Sequence, residues 1–318
     1  MTKIRAVVCR NASYVYHMLS VAKVGYDNDY GRRYAGLHPE DDLSVLLCHA
    51  DMLTVSGGQH TGKLYGLLVA APASIGDHPD VMKYYDYLLH IFSETGTMPD
   101  SCVDQIRRDI PDRKAFGLSV RNPDITLYGG YEPQIIEICE VMRRNFPVYA
   151  EKVWDIEKPI LEDYIARVND ILRERDLEQR WEVLTGYSFG ESSFYAIICN
   201  SLRGGAQAID ISEDKNVFNV AETLGGELLY TLRADVISHE FGIYILKREL
   251  HDLINIEGFA HWIPLESLAG YFNHQVLERE PQGWKGDPDM IVFYRRLHKK
   301  HPSMRPRDLF IAAVEGYK

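Results

Sequence analysis

Residues 235–249 read D-V-I-S-H-E-F-G-I-Y-I-L-K-R-E, and the side chains there that can do chemistry are His239 and Glu240. A helix bearing His-Glu-x-x-His presents two imidazoles one turn apart on one face, where they hold Zn²⁺, with the intervening glutamate as general base. Four residues after His239 the chain has Ile243 instead. Isoleucine has no lone pair, so the chain binds metal with another donor set or binds none at that place. On a helix, Val236, His239, Ile243, Leu246 and Leu250 form one stripe and Ile237, Phe241 and Tyr244 a neighbouring one, which predicts a largely buried element. A histidine on that face needs a partner, and a backbone carbonyl or a carboxylate satisfies it without any metal.

A second stretch, Trp262-Ile-Pro-Leu-Glu-Ser-Leu-Ala-Gly-Tyr-Phe-Asn-His274, predicts a helix with Glu266 on the same face as Ala269, Gly270, Asn273 and His274. Small residues one turn from a carboxylate let another helix approach closely, so Glu266 is expected to point at His239. The segment from about Trp181 to His274 resembles the gluzincin, or peptidase-MA-like, metallopeptidases, laid out as strand, His-Glu helix and glutamate helix. In that family two motif histidines and a downstream glutamate bind zinc, and the motif glutamate activates water. The resemblance implies His239 as first ligand, Glu266 as third and Glu240 as catalytic base, while Ile243 matches nothing. It implies an eroded site, with zinc weakened or absent, in a protein acting as a binding or regulatory module. A substitute ligand, His274 or else His251 or His261, would instead restore a zinc-dependent peptidase. A peptide or protein segment is the implied partner, aligned by addition to a strand edge.

Two other patterns compete. Gly186-Tyr-Ser-Phe-Gly190 satisfies G-x-S-x-G after the strand-like Trp181 to Thr185, so a serine hydrolase would use Ser188 with Asp210 or Asp235 and His251 or His274. A hairpin turn is the plain alternative, because Phe194 to Cys199 reads as strand where an elbow needs a helix. Gly57-Gly-Gln-His-Thr-Gly-Lys63 fits G-x-x-x-x-G-K, but Leu64 follows where a phosphate loop needs Ser or Thr. The apolar Leu64 to Ala71 also does not read as the required helix, and nucleotide binding is set aside.

These residues need elements to position them. Helical spacing marks Tyr14 to Val24, Val81 to Phe92, Pro133 to Asn145, Lys158 to Arg180, Pro264 to Glu280, Pro288 to Lys300 and Pro306 to Val314. Strand-like runs cover Trp181 to Thr185, Phe194 to Cys199 and Ala206 to Ile211. Clustered strands between helices predict an α+β protein, with a mainly helical part over residues 1–150 and a zincin-like domain over 151–318. Asp77-His-Pro-Asp80 reads as a capped turn.

The 318 residues, 46% hydrophobic and 11% aromatic, suffice for a packed core. A net charge of −11 disfavours a polyanionic partner, so nucleic acid is not expected. The basic cluster from Arg295 to Arg307 reads as a solvated helix end. Five cysteines without a C-x-x-C pair suit reduced thiols. With no signal-like or membrane-spanning run, a cytoplasmic protein with no membrane partner is expected.

Overall fold

A computed structural model describes residues 3–56, 60–76, 81–93, 128–190, 193–202, 208–212, 214–220, 227–254, 262–280 and 286–317. The main elements are β1 (Ile4–Val7), α1 (Arg10–Val21), α2 (Asp29–Tyr34), α3 (Glu40–Cys48), β2 (Val55–Ser56), β3 (His60–Thr61), α4 (Val81–Ser93), α5 (Glu132–Tyr149), α6 (Asp155–Arg175), α7 (Leu177–Thr185), β4 (Phe194–Cys199), β5 (Ala208–Ser212), β6 (Lys215–Asn219), α8 (Glu227–Glu249), α9 (Trp262–Leu277), α10 (Pro288–Lys300) and α11 (Pro306–Gly316). This is an α+β protein, with one sheet of order β1-β4-β6-β5 and with β2 and β3 as a separate two-stranded sheet. None of the described helices is long and apolar enough to cross a membrane. Among the described residues, Cys48, Cys139 and Cys199 are free thiols.

The chain forms two compact units, and each is discontinuous. The first comprises residues 1–6, 164–196 and 221–318; the second comprises 7–163 and 197–220. Residues 1–6 thus group with the C-terminal helices, and residues 197–220 with the N-terminal ones. In the first unit Phe194 donates its N–H to Lys3 O at 2.8 Å. The other edge of β1 is closed by side chains. Asn169 donates to Ala6 O at 2.9 Å and accepts from Ala6 N at 2.8 Å, imitating a neighbouring strand with its amide. An edge so occupied offers no ladder to an added strand at that residue.

In the second unit β5 pairs antiparallel with β6, Ile209 opposite Val217, with a bulge between Asp210 and Ser212. Gly57-to-Lys63 spans the β2–β3 hairpin, where Val55 opposes Thr61; residues 57–59 lie outside the described residues. Gly62 is needed for close approach, since a Cβ there would stand 2.4 Å from Met52 C and O. Leu64 is buried, and residues 65–74 are helical after all, in part as a π turn over Gly66–Ala70. The predicted turn at Asp77 to Asp80 lies outside the described residues.

Two expectations need correcting. Trp181 to Thr185 is the end of helix α7, not a strand, and Gly186 caps it in the left-handed region at φ +71°. Burial of Leu177, Trp181 and Thr185, at four-residue spacing, overrides the strand preference of the aromatic and β-branched residues. The single helix expected from Lys158 to Arg180 breaks at Asp176, whose φ of +47° separates α6 from α7.

Candidate metal centre and its competitors

In the first unit, α8 buries the stripe of Val236, His239, Ile243, Leu246 and Leu250 together with Ile237 and Phe241. Gly242 lets α7 lie close, because a Cβ there would meet the Trp181 ring at 2.2 Å. The buried indole donates its Nε1–H to Ser238 Oγ at 3.0 Å. Ser238 donates onward to Asn273 Oδ1 at 2.7 Å, and Asn273 Nδ2 donates to Asp235 O at 3.1 Å. This chain sets the register of α8 against α9. Asn273 bonds Asp235 and Ser238, and Glu266, two turns earlier on the same face of α9, meets His239. Gly286, at φ +91°, braces α9 just beyond, with space for a hydrogen atom only against Ser267 Cα, and Asp287 N–H bonds Ser267 Oγ at 3.0 Å.

His239 Nε2 stands 2.8 Å from Glu266 Oε2. Burial pushes the imidazole pKa down, but the Glu266 hydrogen bond and the charges of Glu266 and Glu240 more than offset it, leaving the value raised above the usual one. The opposite ring nitrogen, His239 Nδ1, is buried with no hydrogen-bond partner among the described residues. Glu240 is half-buried, and its charge also bears on Arg233, two turns back on α8. Arg233 is fully buried; burial lowers its pKa against the pull of Tyr164 and Glu240. Asp235, also buried, accepts from Arg175 at 2.9 Å and Arg279 at 2.6 Å.

These residues do not fit a catalytic zinc as they stand. Such an ion takes three protein ligands and a water. Here the residue one turn on from His239 is Ile243, 3% exposed and without a donor atom. Nor do the described residues place at Nδ1 the acceptor that normally orients a metal-bound histidine. His274 pairs with Glu280 at 3.3 Å, and exposed His251 approaches Arg248 O; His261 lies outside the described residues. Among the described residues no group of three His, Cys, Asp or Glu is placed to share an ion. The geometry can hold a proton between imidazole and carboxylate beside an aliphatic wall.

The G-x-S-x-G stretch joins helix to strand, the reverse of the strand-turn-helix that raises a nucleophile. Ser188 is exposed, and the turn is tied to α7 by Tyr187 N–H to Thr185 Oγ1 and Phe189 N–H to Glu182 Oε1. Of the proposed acids, Asp235 is committed to its two arginines, and Asp210 lies on β5.

Sequence reasoning passed over Arg233 and the Trp181–Ser238–Asn273 chain. The seven-residue interval from Arg233 to Glu240 was the available sign of a shared helix face. Comparisons with protein-family models, with curated proteins and with solved structures yield no match.

Proposed function

We propose that the first unit carries a gluzincin-like centre that has lost its zinc, so that the chain is a binding or regulatory module for a peptide or protein segment rather than a peptidase. The observation that carries this reading is the 2.8 Å contact of His239 with Glu266 beside buried Ile243. The two side chains meet as ligands from neighbouring helices would, yet they bond to each other. A proton, favoured by Glu266 and Glu240, takes the cation's place. Glu240, whose charge is shared with His239 and Arg233, then serves to hold positive charge rather than to activate water.

The test is zinc content. Purified full-length protein should hold well under one equivalent of zinc, while Ile243→His, which restores the missing donor one turn from His239, should take up about one equivalent. About one equivalent in the unsubstituted protein, lost in His239→Ala, would overturn this reading and favour an active zinc-dependent peptidase. Failure of Ile243→His to bind zinc while still folded would count against gluzincin ancestry.

A further inference from the structure

The second unit contains another buried histidine centre, away from any residue of the proposed metal site in sequence. His17 on α1 and His38, just after α2, are both buried, with Nε2 atoms 2.8 Å apart. His17 Nδ1 is 2.9 Å from the Tyr30 hydroxyl, and His38 Nδ1 is 2.8 Å from Asn145 Oδ1 on α5. Asn145 Nδ2 donates to Asp42 Oδ2 at 2.7 Å and to Val141 O at 2.9 Å. Arg144 Nε closes the far end on Asp42 at 3.1 Å.

Counting donors fixes every proton. Both hydrogens of the Asn145 amide are spent on Asp42 and Val141, so Oδ1 only accepts and His38 Nδ1 must carry a hydrogen. A neutral His38 therefore has a bare Nε2, which accepts from His17 Nε2–H. A neutral His17 then has a bare Nδ1, which accepts from Tyr30. The chain is complete with two ring protons. A third must either set two N–H groups face to face at 2.8 Å or turn the Tyr30 hydroxyl away from its acceptor. Tyr34 and Tyr149 pack on the His17 ring, and the remaining charges nearby among the described residues are Asp42 with Arg144, and Glu157, which bears on Tyr30 and Tyr149 and stands 4.0 Å from Arg33. Asp42 is already neutralised by Arg144, and Glu157 accepts from Tyr34 and Asn200. Neither is hydrogen-bonded to the imidazoles.

We propose that His17 and His38 form a neutral-only latch tying α1, α2, α3 and α5 together, which acid opens. Burial holds both imidazoles below their usual value, His17 further lowered by His38, and for His38 the Asn145 bond and Asp42 only partly counter it. The device senses protons on the acid side of the ordinary histidine value of about 6.5.

Selective ¹⁵N-histidine labelling of the full chain at about pH 7.5, with His17→Gln and His38→Gln for assignment, reads the tautomers directly. The expected result is Nδ1–H for His38 and Nε2–H for His17, both neutral; a charged ring or the opposite tautomer overturns the latch. Hydrogen exchange between about pH 7.5 and 5, corrected for intrinsic rates, should accelerate in residues 10–21 and 35–48 by up to about tenfold per pH unit for each proton taken up. Unchanged protection, or the same acceleration in a folded His38→Gln variant, overturns it. Should the variants not fold, the tautomer signals of the unsubstituted protein still decide, because two Nδ1–H or two Nε2–H rings are incompatible with the chain.

Discussion

His239 in the first unit meets a carboxylate, whereas His17 in the second meets another imidazole, and both rings are almost wholly buried. Burial alone disfavours the charged ring in each case. At His239 two carboxylates reverse that preference; at His17 the neighbour is a base of the same kind and reinforces it. What surrounds a buried histidine, rather than the burial, thus decides which protonation state the fold keeps.

The sign of the pH response follows. His239 titrates higher in the folded chain than the unfolded value of about 6.5, so its contribution is fully present below that pH and is lost as pH rises through the folded value. His17 and His38 titrate lower when folded, so their contribution is present above about 6.5 and is lost as pH falls through the folded values. Exchange protection should therefore weaken upward in pH in α8 and downward in pH in α1.

The largest effect expected is from Trp181→Ala, which removes a fully buried indole and leaves Ser238 short of a donor. It should lower the stability of the first unit by about 3–5 kcal/mol, measured by denaturant unfolding and by exchange over residues 227–249. If the two histidine sites are independent, the downward pH response of residues 10–21 survives in this variant; its disappearance would show them coupled. Glu266→Gln should cost less, about 1–3 kcal/mol, and should remove the alkaline loss of protection in α8 because the amide no longer favours the imidazolium. Persistence of that loss in Glu266→Gln would break the contrast between the sites. Ser188→Ala, on an exposed turn, should change stability by under about 0.5 kcal/mol and alter neither pH response. Labelling of Ser188 by a fluorophosphonate in the unsubstituted protein would contradict the geometry of that turn.

How much of this was legible in the chain differs between the sites. The face shared by His239 and Ile243 follows from helical spacing within one segment, and Glu266 was recoverable because its own helix has a small-residue face. His17, His38 and Asn145 come from three segments, the last 107 positions beyond His38. No periodicity connects them, and asparagine and histidine each fit many ordinary environments. Trp181 misled because aromatic and β-branched residues favour strands only where a pleated surface receives them; here the helix α8 received it at Gly242.

The linear order of residues was enough to establish an α+β protein, the helices carrying His239 and Glu266, and the aliphatic residue one turn on from His239. Local spacing settles those features, since each depends on neighbours within a few turns. Tertiary structure alone decided that imidazole and carboxylate bond to each other, that β1 belongs with the C-terminal helices, and that two imidazoles share one hydrogen bond in the other unit. Those outcomes depend on donors and acceptors brought together from distant parts of the chain, where desolvation makes each unmatched group costly.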